Sequence, residues 1–232
     1  MIRKVVAAFA ALVMVVGCTT VDPVTGERTR NNAGTGAIIG AITGAALGTA
    51  AGGDDRRNAM IGAGIGALAG YAIGTYMDRQ ERNLRERLAD RGVGVERVNQ
   101  GQIKLIFPAG ITFDFNRDTV KGQFVPTLRE VADVLREYDQ TTIDVYGHAD
   151  SVGDDAYNVE LSARRAQNVT SVLLQSGVNR DRVFVTGLGE RYPIASNASD
   201  SGRAQNRRVE VFISAFCNTN DAACQQAQRA PY

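Results

Sequence analysis

Histidine occurs once in the 232 residues, at His148, and that scarcity removes much metal and acid–base chemistry. A zinc site takes three or four ligands at suitable spacing, and one histidine supplies no convincing set. None of the serines near His148 and Asp150 stands on a Gly-x-Ser-x-Gly turn, so no activated nucleophile is specified. Gly187-Leu188-Gly189-Glu190 lacks the third glycine and the following helix of a phosphate-cradling loop. An excess of either charge is missing too. The 26 Lys and Arg against 25 Asp and Glu leave a formal net charge of +1, which offers nothing to nucleic acid or to an acidic partner. No catalysis, cofactor or metal is expected.

Cysteine is also scarce, with three residues in the chain. Arg3 and Lys4 precede a charge-free apolar run, Val5 to Val16, which ends in Gly17-Cys18. The run has the composition of a secretory signal, residues 1–17, and is too short for a comfortable membrane span. Gly17 before Cys18 resembles the bacterial lipobox. That resemblance implies a lipidated Cys18 bearing a thioether-linked diacylglycerol and an amide-linked acyl chain such as palmitate, which together anchor far better than one chain. Residue 19 is threonine, not the aspartate that marks inner-membrane retention in many enterobacterial lipoproteins, so the same resemblance implies the outer membrane. Residues 18–33 are then a lipidated tether. Cys217 and Cys224, in the tail 217–232, read as a local disulfide in an exported protein. Metal binding is the rival there, and it lacks further ligands.

Glycine is plentiful and ordered. Gly36, Gly40, Gly44, Gly48 and Gly52 recur every four residues, and so do Gly62, Gly66, Gly70 and Gly74. The charged turn Asp54-Asp55-Arg56-Arg57-Asn58 separates the two rows. Period four puts each row on one helical face where backbones can approach closely, so residues 34–77 read as a glycine-zipper helical hairpin. Membrane insertion, self-association and peripheral packing all fit that pattern. Residues 78–92 carry interspersed Asp, Glu and Arg with Leu84 and Leu88 at i, i+4, the pattern of a charged, solvated spacer helix.

The globular domain is expected over residues 93–216. Val95, Val98, Ile103, Leu105 and Phe107 suggest opening strands, and Ile111 to Phe115 another. Phe124, Leu128, Val131, Leu135 and Tyr138 form a helical stripe. Thr142 to Tyr146 alternates as a strand, Tyr157 to Leu174 is a helix ended near Gly177, Arg182 to Thr186 is a strand, and Val209 to Ser214 closes the sheet. Strands alternating with helices give an α/β class, an α+β sandwich with helices on one face of a mixed sheet.

Within it, Gly147 to Ala166 brings chemistry together. Asp150 follows a strand end, while Asn158, Ser162 and Arg165 share a helical stripe at i, i+4, i+7. Leu161, Arg165, Val169 and Leu173 run at core-facing spacing, which turns the arginine inward. Asp150 and Arg165 then read either as a structural ion pair or as a clamp for a small zwitterion, with Asp for the ammonium and Arg for the carboxylate.

The motifs Phe113-Asp-Phe-Asn116, Gly147-His-Ala-Asp150, Tyr157 to Ala166 (YNVELSARRA) and Gly202 to Val211 (GRAQNRRVEV) resemble the OmpA C-terminal family, which includes peptidoglycan-associated lipoproteins and flagellar stator proteins. The resemblance implies a noncovalent peptidoglycan-binding domain whose ligand is the meso-diaminopimelate of the stem peptide. It implies Asp150 for the ammonium, Arg165 for the carboxylate, Asn116 and Asn158 for amide hydrogen bonds, and Arg207 at the rim. Ala149 stands where the family commonly has Thr, so a hydroxyl is lost and only the backbone amide is left to donate. His148 is expected as a buried structural residue, and Arg208 and Glu210 as a surface pair worth little. The chain as a whole reads as an outer-membrane tether to the cell wall, with peptidoglycan, the membrane and a second copy of the zipper as partners. A glycine-zipper oligomer or pore is the rival.

Overall fold

The computed structural model describes residues 19–21, 28–30, 73–114 and 117–216. Cys18, the glycine rows up to residue 70, Asn116 and the Cys217–Cys224 pair lie outside these residues. Two short strands, β1 (Thr19–Val21) and β2 (Arg28–Arg30), pair antiparallel, with Thr19 opposite Arg30, where a plain tether was expected. Among the described residues no helix is long and apolar enough to cross a membrane.

The main unit begins with α1 (Ile73–Leu88). It continues through β3 (Gly94–Asn99), β4 (Gln102–Pro108), the single turn α2 (Ala109–Thr112), α3 (Val125–Glu137) and β5 (Thr141–His148). It ends with α4 (Asp155–Gln175), β6 (Val183–Gly187), α5 (Asp200–Asn206) and β7 (Arg208–Ala215). The sheet order is β3-β4-β7-β5-β6. β5 and β6 are parallel and the other pairs antiparallel, which makes the sheet mixed.

Register builds the core in rows. Ile103, Ile213 and Ile143 stand side by side across β4, β7 and β5, and the next row is Leu105, Val211 and Val145. These buried side chains share one cluster with Leu128, Val131 and Leu135 of α3 and with Ala166, Val169 and Leu173 of α4. The alternation of β4 and β7 thus gives the helices one sheet face to cover.

Four expectations change. Val209 to Ser214 does not close the sheet but fills its centre, because β7 pairs with both β4 and β5. The segment after Pro108 is a helical turn, and Phe113 meets Val120 through a single bridge instead of extending a strand. α4 starts at Asp155, not Tyr157, because Asp154 caps it by accepting from the N–H groups of Ala156 and Tyr157. The supposed spacer helix is part of the fold. Met77, Gln80, Leu84 and Leu88 form a buried stripe of α1, with both leucines in the core cluster. Its charges reach specific partners, Arg97 to Asp78 (3.2 Å) and Glu81 (3.1 Å), and Arg87 to Glu130 (3.3 Å).

Two paired glycines set where α4 lies. Gly147 on β5 faces Gly187 on β6. A Cβ at Gly147 would collide with the carbonyl of Ser162, and one at Gly187 would come within 2.5 Å of the Val159 carbonyl. The helix backbone therefore touches the sheet at this one point, which aims Asn158, Leu161 and Arg165 at the end of β5.

Candidate binding site

Where β5 ends, Ala149 and Asp150 meet the first turns of α4 at a cleft of about 760 Å³. Phe113, Asp114 and Lys121 line it on one side, Asp200, Arg203 and Arg207 on another, and Leu161 and Arg165 from α4.

Asp150 is 8% exposed. Its Oδ1 accepts from the N–H of Val152 (3.1 Å), and its Oδ2 is bound by Nη1 of Arg207. The loop behind it is pinned by Asn158, whose amide nitrogen donates to the carbonyls of Asp150 (3.1 Å) and Val152 (3.2 Å) and to Glu190 Oε2 (2.9 Å). Asn158 thus shapes the loop, and its donor group is already engaged. Ser162 works alongside it, accepting from Gly189 N–H (3.0 Å) and donating to the Val159 carbonyl (2.8 Å).

Arg165 is 4% exposed and does not pair with Asp150. Its Nε donates to the Arg117 carbonyl (3.1 Å), and its guanidinium lies 5.3 Å from the centre of the Phe113 ring. Burial, and next the neighbouring Arg207, lower its pKa from the ordinary value. The adjoining loop is held by two further residues of α4. Arg164 pairs with Asp118 (2.7 Å), and Asn168 donates to the Asp118 carbonyl (2.9 Å).

The other charges of the cleft are matched: Arg207 with Asp150, Arg203 with Asp200, and Lys121 with Asp114 (3.8 Å). Among the described residues, Arg165 is the one cation lining the cleft without a carboxylate at ion-pair distance. A desolvated guanidinium in that position favours an anionic occupant, because charge-assisted bonds are strong where water is excluded.

The structure brings Ala149, Asp150, Asn158, Arg165 and Arg207 to one cleft. The Ala149 amide does not face a ligand, since it donates to the Gly189 carbonyl (2.8 Å) and only the methyl is left to line the cleft. Arg208 and Glu210 are not a surface pair. Each is 1% exposed, they bond at 2.7 Å, and Glu210 Oε2 lies 3.8 Å from Nε2 of His148. Burial, then Arg208, push His148 down to about 4, so the imidazole is neutral near neutral pH. The sequence reading missed α5 with its pair Asp200 and Arg203. The available signal was Ser199, which caps that helix by accepting from Gly202 N–H (3.1 Å).

Sheet order, helix layer and charged cleft together define an OmpA-like α+β domain. The chain belongs to the OmpA family, whose model matches residues 112–207, and a YMGG-like Gly-zipper model matches residues 1–78. It is 41% identical over 212 residues to the probable lipoprotein YiaD of Escherichia coli K12, spanning 90% of this chain and 96% of that protein. Among solved structures it resembles a putative MotB-like protein from Desulfovibrio vulgaris, with TM-score 0.56 and 26% identity over 62% of this chain and 94% of that one. It also resembles the cell wall anchor of the T6SS from Pseudomonas aeruginosa, with TM-score 0.51 and 32% identity over 57% and 96%.

Proposed function

We propose that this chain is an outer-membrane lipoprotein whose domain grips peptidoglycan noncovalently at the diaminopimelate of the stem peptide, tethering membrane to wall. The observation that carries this reading is the buried Arg165 lining the cleft, which has no carboxylate at ion-pair distance among the described residues. It takes the free carboxylate of the diaminopimelate side-chain end, while Asp150 shares its charge between Arg207 and the ligand's ammonium. Asn116 adds an amide hydrogen bond, Asn158 fixes the Asp150 loop, and the Ala149 methyl leaves room without a hydroxyl contact. The domain binds and does no chemistry. A solved relative that is a cell wall anchor and a relative that is a probable lipoprotein support the two ends of the tether.

Cys18 carries the lipid that places the domain in the periplasm, Cys217 and Cys224 form a disulfide after export, and the glycine rows pack against each other or against a second copy. The deciding experiment pellets the full chain, purified in detergent, with isolated sacculi. Wild type is expected in the pellet and Arg165→Ala in the supernatant, the variant remaining folded by circular dichroism. Equal pelleting of the two overturns the site. Mass spectrometry of membrane-fraction protein tests the anchor, and an unmodified Cys18 overturns it.

A further inference from the structure

The second face of the sheet is buried as well. Along β5, Ile143 and Val145 turn to the core, so Asp144 and Tyr146 turn the other way, opposite Phe212 and Glu210 of β7. Tyr146 is 7% exposed, Phe212 3% and Asp144 5%. The two rings meet edge to face with 5.8 Å between their centres, and neither belongs to the core cluster. At one end of this face the loop before α5 gives cover, its Tyr192 carbonyl accepting from Nη2 of Arg208 (3.2 Å). Around Phe212 none of the long helices does so, because α1, α3 and α4 pack into the core cluster on the opposite face.

Rings this dry need atoms over them, and two lengths of chain are at hand. The chain before Ile73 enters on the core side, where Ile73 and Tyr76 pack against the cluster. The chain after Phe216 leaves from β7, the middle strand, which is held to its end by the Phe216 N–H on the Gln140 carbonyl (3.0 Å). From there β6 at the sheet edge is two strands away, about 10 Å. Residues 217–232 reach about 24 Å even when wound into a helix. Ala223, Ala227 and Ala230 recur at i, i+4, i+7, a stripe of small side chains that lets a helix lie close on aromatic rings. The same tail carries one cation, Arg229, for a face that holds the buried carboxylate of Asp144.

We propose that residues 217–232 fold back over this face and rest the alanine stripe on Tyr146 and Phe212, giving the domain a second, smaller core. The tail is then a working part of the fold. This stands independently of the ligand reading, since neither Tyr146 nor Phe212 lines the binding cleft.

The test is hydroxyl-radical footprinting of the full chain in detergent, read by mass spectrometry at Tyr146 and Phe212. Phe107, fully buried on the core face, is the internal standard for folding. Removing residues 217–232 is expected to raise modification of Tyr146 and Phe212 severalfold while Phe107 stays protected. A gentler variant, Ala227→Glu, puts a charge into the stripe and should raise it too, whereas Gln225→Glu on the far side of the helix should not. That pair decides the matter if the truncated chain fails to fold and Phe107 becomes modified as well. Equal protection of the two rings in wild type and Ala227→Glu overturns the proposal. Protection in wild type that falls on dilution also overturns it, since a second copy then supplies the cover.

Discussion

Nη1 of Arg207 is bound to Oδ2 of Asp150, so the carboxylate suited to a ligand's ammonium already has a cation beside it. Arg165, in contrast, has a carbonyl and an aromatic face for company and no carboxylate partner among the described residues. The two arginines should therefore differ on mutation. Arg165→Ala and Asp150→Asn each leave a ligand charge without its counterpart, a loss of about 1.5–3 kcal/mol for a charge-assisted bond. Arg207→Gln removes the competitor of the ammonium, so sacculus binding is expected to survive it. Binding isotherms for the three variants check this. If Arg207→Gln is as defective as Arg165→Ala, Arg207 itself holds the ligand.

α1 belongs to the domain's core, and truncating it should show that. Leu84 is fully buried in a cluster with the sheet, so Leu84→Ala is expected to cost about 2–5 kcal/mol. A solvated spacer would lose almost nothing. Gln80 offers the opposite test. Its side chain is buried, and its Nε2 and Oε1 have no hydrogen-bond partner among the described residues. Gln80→Leu should stabilise the domain by about 1–3 kcal/mol, since the desolvated amide is removed. Chemical denaturation of both variants decides the matter.

Gly147 is predicted to tolerate no side chain. Its Cβ would strike the Ser162 carbonyl, a backbone atom in the middle of α4 that cannot swing aside. Gly147→Ala should lower stability and also weaken binding, because lifting α4 moves Asn158 and Arg165 away from Asp150. Gly122→Ala makes the control, since nothing lies within 4 Å of that position and it does not line the cleft. Thermal melts and sacculus pelleting on the two variants should diverge.

His148 makes stability depend on pH in one direction. Its pKa falls from 6.5 to about 4 in the folded protein, so between those values the unfolded chain binds a proton that the folded chain refuses. Stability from this group is therefore unchanged above pH 6.5, declines as pH falls below it, and has lost its full increment below about pH 4. The shift corresponds to roughly 3 kcal/mol. His148→Gln should flatten the stability profile between pH 6.5 and 4, measured by denaturation at fixed ionic strength. A parallel pair of profiles would show that other groups govern acid unfolding.

The sequence alone determined the layers of the domain and brought the cleft residues Asp150 and Arg165 close together. Period-two runs such as Ile103-Leu105-Phe107 and period-3.6 stripes such as Leu128-Val131-Leu135 are local signals, and both appear where expected because burial repeats with the geometry of strand and helix. Asp150 and Arg165 were legible together because one loop separates their elements. Tertiary structure decided what local pattern cannot encode. The central place of β7 depends on pairing with strands far away in sequence, and so does the burial of Arg208 and Glu210. The docking of α1 could not be read from its mostly charged sequence, because a few buried residues suffice when a complementary groove already exists. The distribution of carboxylates within the cleft, Asp150 on Arg207 and, among the described residues, none on Arg165, was fixed only when β7, the β5 loop and α4 met in space. Charge pairing depends on distances of a few ångströms between segments that the sequence keeps apart.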